Sequence, residues 1–137
     1  MSEGMFVDTS GFYALLVKAD EEHARAAAIL RSRGEQRKGF VTTDYVLDET
    51  ATLMKARGHS YLLRAFFDVV FRSAACRVEW TDRKRFERAV RFLLDHEDKP
   101  WSFTDCLSFC VMEELGIRQA LTKDKHFRQA GFEALPV

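Results

Sequence analysis

Four acidic side chains, Asp8, Glu49, Asp105 and Asp124, stand where a folded chain could bring carboxylates together. Asp8 follows the apolar run Met5-Phe6-Val7 and precedes Thr9 and Ser10. Thr104-Asp105 opens a stretch with helical spacing, Asp124 follows Leu121-Thr122-Lys123, and Glu49 lies inside another helical stretch. Crowded carboxylates repel one another and take up protons unless a cation compensates them. Oxygen ligands with no His or Cys in the set favour Mg²⁺ or Mn²⁺ over zinc. Such an ion keeps positions open for phosphate oxygens, and a water that it acidifies can attack a phosphodiester in line. Thr9, Ser10, Thr104 and Thr122 are suited to orienting these carboxylates through hydrogen bonds.

Each acid also has a plain structural reading. Asp8 can cap the helix that begins at Ser10, Asp105 can add favourable charge to a first helical turn, and Glu49 and Asp124 can be surface residues. No rival chemistry is better placed, since the chain has no GxSxG elbow, no GxxxxGK[ST] loop and no GxGxxG fingerprint. A haloacid-dehalogenase-type phosphatase needs a second Asp where Ser10 stands, and a phosphorylation receiver needs paired acids before its first helix. His23, His59, His96 and His126 are scattered in stretches that read as exposed helix or turn. His126 is the only one near a candidate ligand. Cys76, Cys106 and Cys110 form no CxxC pair and read as buried thiols.

The elements that must position these groups follow from periodicity and punctuation. Residues 10–17 read as a helix with Phe12, Leu15 and Leu16 inward. Asp20 reads as the cap of a helix over 21–33 that Gly34 stops. Phe40-Val41-Thr42 is a brief strand, and Thr43 caps a helix on which Glu49 borders the apolar stripe of Val46, Leu47, Thr50, Leu53 and Met54. Residues 59–73 form a helix that is apolar around much of its circumference, so it is either deeply buried or an oligomer contact. Cys76 to Trp80 alternates like an edge strand, and Thr81 caps a helix to about His96. That helix has one charged face, Arg83, Lys84, Arg85, Glu87, Arg88 and Arg91, either solvated surface or a phosphate-contacting patch. Ser102 or Thr104 begins a helix ended by Gly116. A strand over 119–122, a helix over 123–130 and a strand or tail over 132–137 complete the chain. Strands alternating with helices imply a mostly parallel sheet covered on both faces, with ligands bound at the carboxyl ends of its strands.

With 137 residues, 47 % of them apolar, the chain is expected to form one domain over 1–137 and to bury a core without cross-links. Its 21 basic and 21 acidic residues cancel, so net charge alone draws it to no polyanion, although an acidic pit and a basic rim can coexist within such a balance. No apolar run approaches the ~20 residues of a membrane span, and the start carries no signal-peptide pattern. A cytoplasmic location and no membrane partner are expected.

The four motifs together resemble the PIN-domain family and, within it, the small toxins called VapC. Phe6-Val7-Asp8-Thr9-Ser10 is similar to the opening strand with the first catalytic Asp, and Val46-Leu47-Asp48-Glu49 to the helical motif whose Glu is the second acid. Ser102-Phe103-Thr104-Asp105 is similar to the third motif, and Leu121-Thr122-Lys123-Asp124-Lys125-His126-Phe127 to the last. The resemblance covers nearly the whole chain. It implies a three-layer α/β/α sandwich and a Mg²⁺- or Mn²⁺-dependent endoribonuclease that is the toxin of a toxin–antitoxin pair. It further implies an RNA substrate, a homodimer and a cognate antitoxin protein. Asp8, Glu49 and Asp105 would be the main metal ligands, and Asp124 would be a ligand or hold a metal-bound water. One firmly bound ion is expected, with a second arriving with RNA. Lys123, Lys125, Arg128 and Arg64 are candidate phosphate contacts. Cys106 departs from the small Ala common in relatives. The alternatives are a non-catalytic RNA- or protein-binding domain of the same fold and a housekeeping RNA-processing nuclease.

Overall fold

A computed structural model describes residues 4–136; Met1, Ser2, Glu3 and Val137, the outermost positions of the domain expected over 1–137, lie outside the described residues. Five short strands, β1 (Met5–Val7), β2 (Phe40–Thr43), β3 (Cys76–Glu79), β4 (Gln119–Leu121) and β5 (Glu133–Leu135), form one parallel sheet in the order β3-β2-β1-β4-β5. The intervening helices are α1 (Thr9–Leu16), α2 (His23–Glu35), α3 (Asp44–Ala56), α4 (Leu63–Arg72), α5 (Arg83–Asp95), α6 (Phe103–Leu115) and α7 (His126–Gln129). From β1 to β3 the chain steps one way across the sheet, and from β3 through β4 to β5 it steps back. Right-handed crossovers therefore put α1–α4 on one face and α5–α7 on the other. The packing agrees, since α1 meets α2 and α3, whereas α5 meets α6 and α6 meets α7. This is the α/β/α sandwich expected from the alternation of strands and helices.

The strand order reverses between β1 and β4, which opens a crevice at their carboxyl ends. Close packing there leaves no room on α1 beside β4. A Cβ added at Gly11 would lie 2.1 Å from the Leu121 carbonyl oxygen, a backbone atom that cannot turn away. Gly11→Ala should therefore destabilise the fold by about 3 kcal/mol, at the upper end of overpacking costs, and lower the melting temperature by roughly 10 °C. Thermal melts of the two proteins check this.

Several boundaries differ from those read from the sequence. Helix α2 begins at His23 with Glu22 at its cap position; Asp20 instead accepts from the Glu22 backbone N–H at 2.8 Å and pairs with Lys123. Helix α2 also runs through Gly34 to Glu35, and the turn falls at Arg37, which has φ +57°. The helix expected over 59–73 is a 3₁₀ turn at Ser60–Leu62 followed by α4. Its Phe66 and Val70 are buried while Val69 and Phe71 are exposed, so it is only partly a core helix. Asp82, not Thr81, caps α5, accepting from Arg85 N at 2.8 Å, because Thr81 is held by both carboxylate oxygens of Asp44. On the charged face of α5, Arg85 pairs with Glu79 at 2.7 Å and Glu114 at 2.5 Å, and Arg88 with Glu114 at 3.1 Å. Those two arginines tie α5 to β3 and α6, which removes them from any phosphate patch. Cys106 and Cys110 are buried, Cys76 is half-buried, and all three are free thiols. Among the described residues no helix is long and apolar enough to cross a membrane.

Candidate active site

Asp8 directly follows β1 and occupies the N-cap position of α1, but its side chain makes no cap bond. The carboxylate turns instead toward the crevice, where Thr122, at the end of β4, donates its hydroxyl to Asp8 Oδ2 at 3.0 Å. Thr122 has one hydroxyl proton, and it is committed to Asp8. Ser10, whose Oγ lies 3.2 Å from Thr122 Oγ1, must then donate to it, and Ser10 in turn accepts from the Lys123 backbone N–H at 2.8 Å. The Asp124 N–H also points at Thr122 Oγ1, at 3.0 Å. Donors thus run in one direction from two backbone amides through two hydroxyls to Asp8, each bond polarising the next.

Burial pushes the Asp8 carboxyl from its ordinary 3.8 up to about 7. The N–H of Thr9 and the hydroxyl of Thr122 pull it back only in part, while the charges of Asp105 and Glu49 push it higher. Those two acids reach Asp8 from opposite faces of the sheet. Glu49 comes from α3, exposed and steered by the Thr9 hydroxyl, which donates to its Oε1 at 2.8 Å. Asp105 comes from the first turn of α6, where Ser102 forms a reciprocal capping box with it. The structural reading of Asp105 as a helix-start residue therefore holds, and it holds through Oδ2, which accepts from Ser102 N at 3.2 Å.

The same oxygen faces His126 Nδ1 at 2.9 Å, and Asp124 Oδ1 lies 3.2 Å from that nitrogen. Between two carboxylates, Nδ1 is the ring nitrogen that carries the proton. One donor atom each from Asp105, Asp124 and His126 lies within 4.8 Å of the others. The sequence reading placed His126 on an exposed turn; it is half-buried and bridges two acids 19 residues apart in the chain. The hint lay in the local order Asp124-Lys125-His126, where Asp124 Oδ1 accepts from the His126 N–H at 2.9 Å and folds the ring back over the site.

Asp8, Glu49 and Asp124 line one cleft of about 320 Å³ together with Thr9, Ser10, Asp20 and Lys123. Burial raises Asp20, but the Lys123 ammonium at 2.9 Å and the Glu22 N–H outweigh it and hold the carboxyl below its ordinary range. Lys125 and Arg128 line an adjoining hollow with Thr122 and Asp124, so three of the four candidate phosphate contacts border the acids. Arg64 is exposed on α4 and is not among the residues lining either space. Thr104 does not join the orienting hydroxyls; among the described residues its hydroxyl meets no carboxylate, and its carbonyl accepts from Ser108 at 2.8 Å. The carboxylate oxygens fit a hard divalent cation. Asp105 and Asp124 meet at His126, whose Nδ1 is spent as a donor to them and offers no lone pair. Asp124 also lines the cleft of Asp8 and Glu49, where burial leaves the Asp8 carboxyl short of compensating charge.

A family model described as "PIN domain" matches residues 5–133. The 23S rRNA-specific endonuclease VapC20 of Mycobacterium tuberculosis, from strains CDC 1551 / Oshkosh and ATCC 25618 / H37Rv, is 35 % identical over 129 residues, spanning 93 % of this chain and 95 % of that protein. A crystal structure of M. tuberculosis VapC20, described as a sarcin–ricin loop cleaving toxin, superposes with a TM-score of 0.85 at 34 % identity over the same shares of the two chains.

Proposed function

The chain belongs to the PIN domain family, and from that premise we propose that it is a divalent-metal-dependent endoribonuclease, the toxin of a toxin–antitoxin pair, with Mg²⁺ or Mn²⁺ as its ion. The observation that supports this reading is that Asp8, Glu49 and Asp124 line one cleft, while Asp105, whose charge acts on Asp8 from the other face of the sheet, meets Asp124 through His126. Asp8, Asp105 and Glu49 would hold the ion, with Asp124 beside them and His126 fixing the angle between Asp105 and Asp124. A divalent cation at this site supplies the charge that acidifies an attacking water and offsets the negative charge gathering on the phosphate. The chain's own residues do the rest. Thr9 fixes Glu49, the Ser10–Thr122 relay fixes Asp8, and Lys125 and Arg128 draw the RNA backbone to the rim, where Lys123 is already held by Asp20.

The first substrate to try is the sarcin–ricin loop of 23S ribosomal RNA, because a relative of this identity and coverage is described as cutting it. A cytoplasmic setting goes with that substrate. A single domain over 1–137 carries the activity. An antitoxin and a second copy of the chain are the protein partners that suit the remaining surface. An apolar hollow of about 230 Å³ between α1, α2 and α4, and the exposed Phe71, Trp80, Phe86 and Leu94, offer them apolar area.

The purified protein should cut a labelled sarcin–ricin-loop RNA, stop when the metal is chelated, and resume when Mn²⁺ or Mg²⁺ is restored. Cleavage that persists in chelator, from a preparation free of contaminating nuclease, would overturn the metal-dependent reading. Binding without cleavage under all metal conditions would favour the non-catalytic alternative.

A further inference from the structure

Arg57 stands exposed just past the end of α3, and its guanidinium lies 5.1 Å from the centre of the Tyr13 ring. Both side chains line the acidic cleft, next to Leu53. As a plain structural residue, Arg57 would complement the carboxyl end of its helix. That role does not require the guanidinium to lie over a ring on α1 at the cleft wall. Among the described residues no carboxylate comes within ion-pair distance of it, so the ring holds the cation while its charge stays available.

The aromatic surface continues beyond the cation. His59 meets Tyr13 edge to face with ring centres 5.7 Å apart, and Tyr61 packs on His59 at 5.8 Å, its hydroxyl 3.2 Å from His59 Nδ1. Tyr61 is 74 % exposed, so the ring is braced by a neighbour yet open to solvent. An uncompensated guanidinium beside the carboxylates, followed outward by aromatic faces, matches the alternation of phosphate and base along an unpaired nucleotide chain. A docked protein helix fits less well, because the apolar hollow that suits one lies elsewhere, between α1, α2 and α4.

We infer that Arg57, Tyr13, His59 and Tyr61 form a subsite for unpaired nucleotides flanking the bond that is cut, with Arg57 taking a backbone phosphate and the open face of Tyr61 taking a base. This rests on the ribonuclease reading above. None of the four is among the residues that hold the ion, so the subsite governs substrate binding and not the chemical step.

The test uses the full chain carrying Asp8→Asn, so that the RNA is not consumed, and reads the fluorescence anisotropy of labelled sarcin–ricin-loop RNA. Adding Arg57→Ala weakens binding about tenfold and lowers the slope of log affinity against log salt by about one. Adding Tyr61→Ala weakens binding about tenfold with the salt slope unchanged, whereas Tyr61→Phe, which keeps the ring, stays within about twofold. With Asp8 restored, Arg57→Ala and Tyr61→Ala raise KM for the RNA and leave kcat unchanged. Tyr61→Ala, which lies outside the cleft lining, also leaves hydrolysis of bis(p-nitrophenyl) phosphate, which has no flanking nucleotide, unchanged. Affinity and salt slope that survive both alanine substitutions overturn the subsite, including where the variants lose a protein partner instead. Wild-type protein that cuts no RNA counts against the ribonuclease reading, and the anisotropy result then still decides the subsite by itself.

Discussion

Asp8→Asn and Asp105→Asn should each lower the rate of RNA cleavage by about a thousandfold, the upper end of what is seen when one preorganised group is removed from around a transition state. Each change replaces one carboxylate oxygen by an amide nitrogen of nearly the same size, so packing is retained while a unit of negative charge is lost. At position 8 the remaining amide oxygen can still accept from the Thr122 hydroxyl, and at position 105 it can still accept from Ser102 N. The fold should therefore persist, with an unchanged far-ultraviolet spectrum. Thr122→Val offers the contrast. It removes only the donor that orients Asp8 and should cost about 10- to 100-fold, the usual scale for groups that position a metal ligand. Single-turnover cleavage in saturating Mn²⁺ measures all three. Two purified Asn variants that cut at wild-type rates would remove Asp8 and Asp105 from the mechanism. A Thr122→Val loss as large as theirs would mean that the hydroxyl relay does more than position.

The second large effect is on stability and follows from the buried Asp8 carboxyl. Its value rises from 3.8 to about 7 on folding, so between those limits the folded chain holds a proton that the unfolded chain has lost. Stability from this group is fully present below about pH 4 and is lost as pH rises toward 7. A shift of this size corresponds to about 4 kcal/mol, or roughly 13 °C in melting temperature for a chain of this length. In the metal-free protein, Asp8→Asn removes this pH-dependent penalty, so the variant should gain on the wild type between pH 5 and pH 8. A divalent ion favours the ionised form, so the stabilisation by Mn²⁺ of the wild type should grow over the same interval. Melts with chelator and with Mn²⁺ at the two pH values give both differences. A gap between wild type and Asp8→Asn that is the same at pH 5 and pH 8 would exclude Asp8 as the titrating group.

Several of these features are legible in the sequence alone. Met5-Phe6-Val7-Asp8 reads as an inner strand delivering an acid because three consecutive apolar residues suit a strand covered on both faces. Gly116 reads as a helix end because its left-handed backbone, φ +69°, favours glycine. Thr43 reads correctly as the cap of α3, accepting from Val46 N at 3.2 Å, since caps are bonds over three residues. The same local reading misassigned Thr81 and Asp20. Their partners, Asp44 and Lys123, lie 37 and 103 residues away, and local sequence does not reveal them.

The sequence by itself determined which acids the chain carries, which segments become strands and helices, and that acids at strand ends would face the ligand-binding edge of a parallel sheet. Only the tertiary structure decided that Glu49 and Asp105 approach Asp8 from opposite faces, that His126 bridges Asp105 and Asp124, and that Arg57 lies over Tyr13 at the cleft wall. The reason is physical. Periodicity and capping are set within a few neighbouring residues, whereas burial, charge crowding and the direction of a shared hydroxyl proton exist only once distant segments exclude water together.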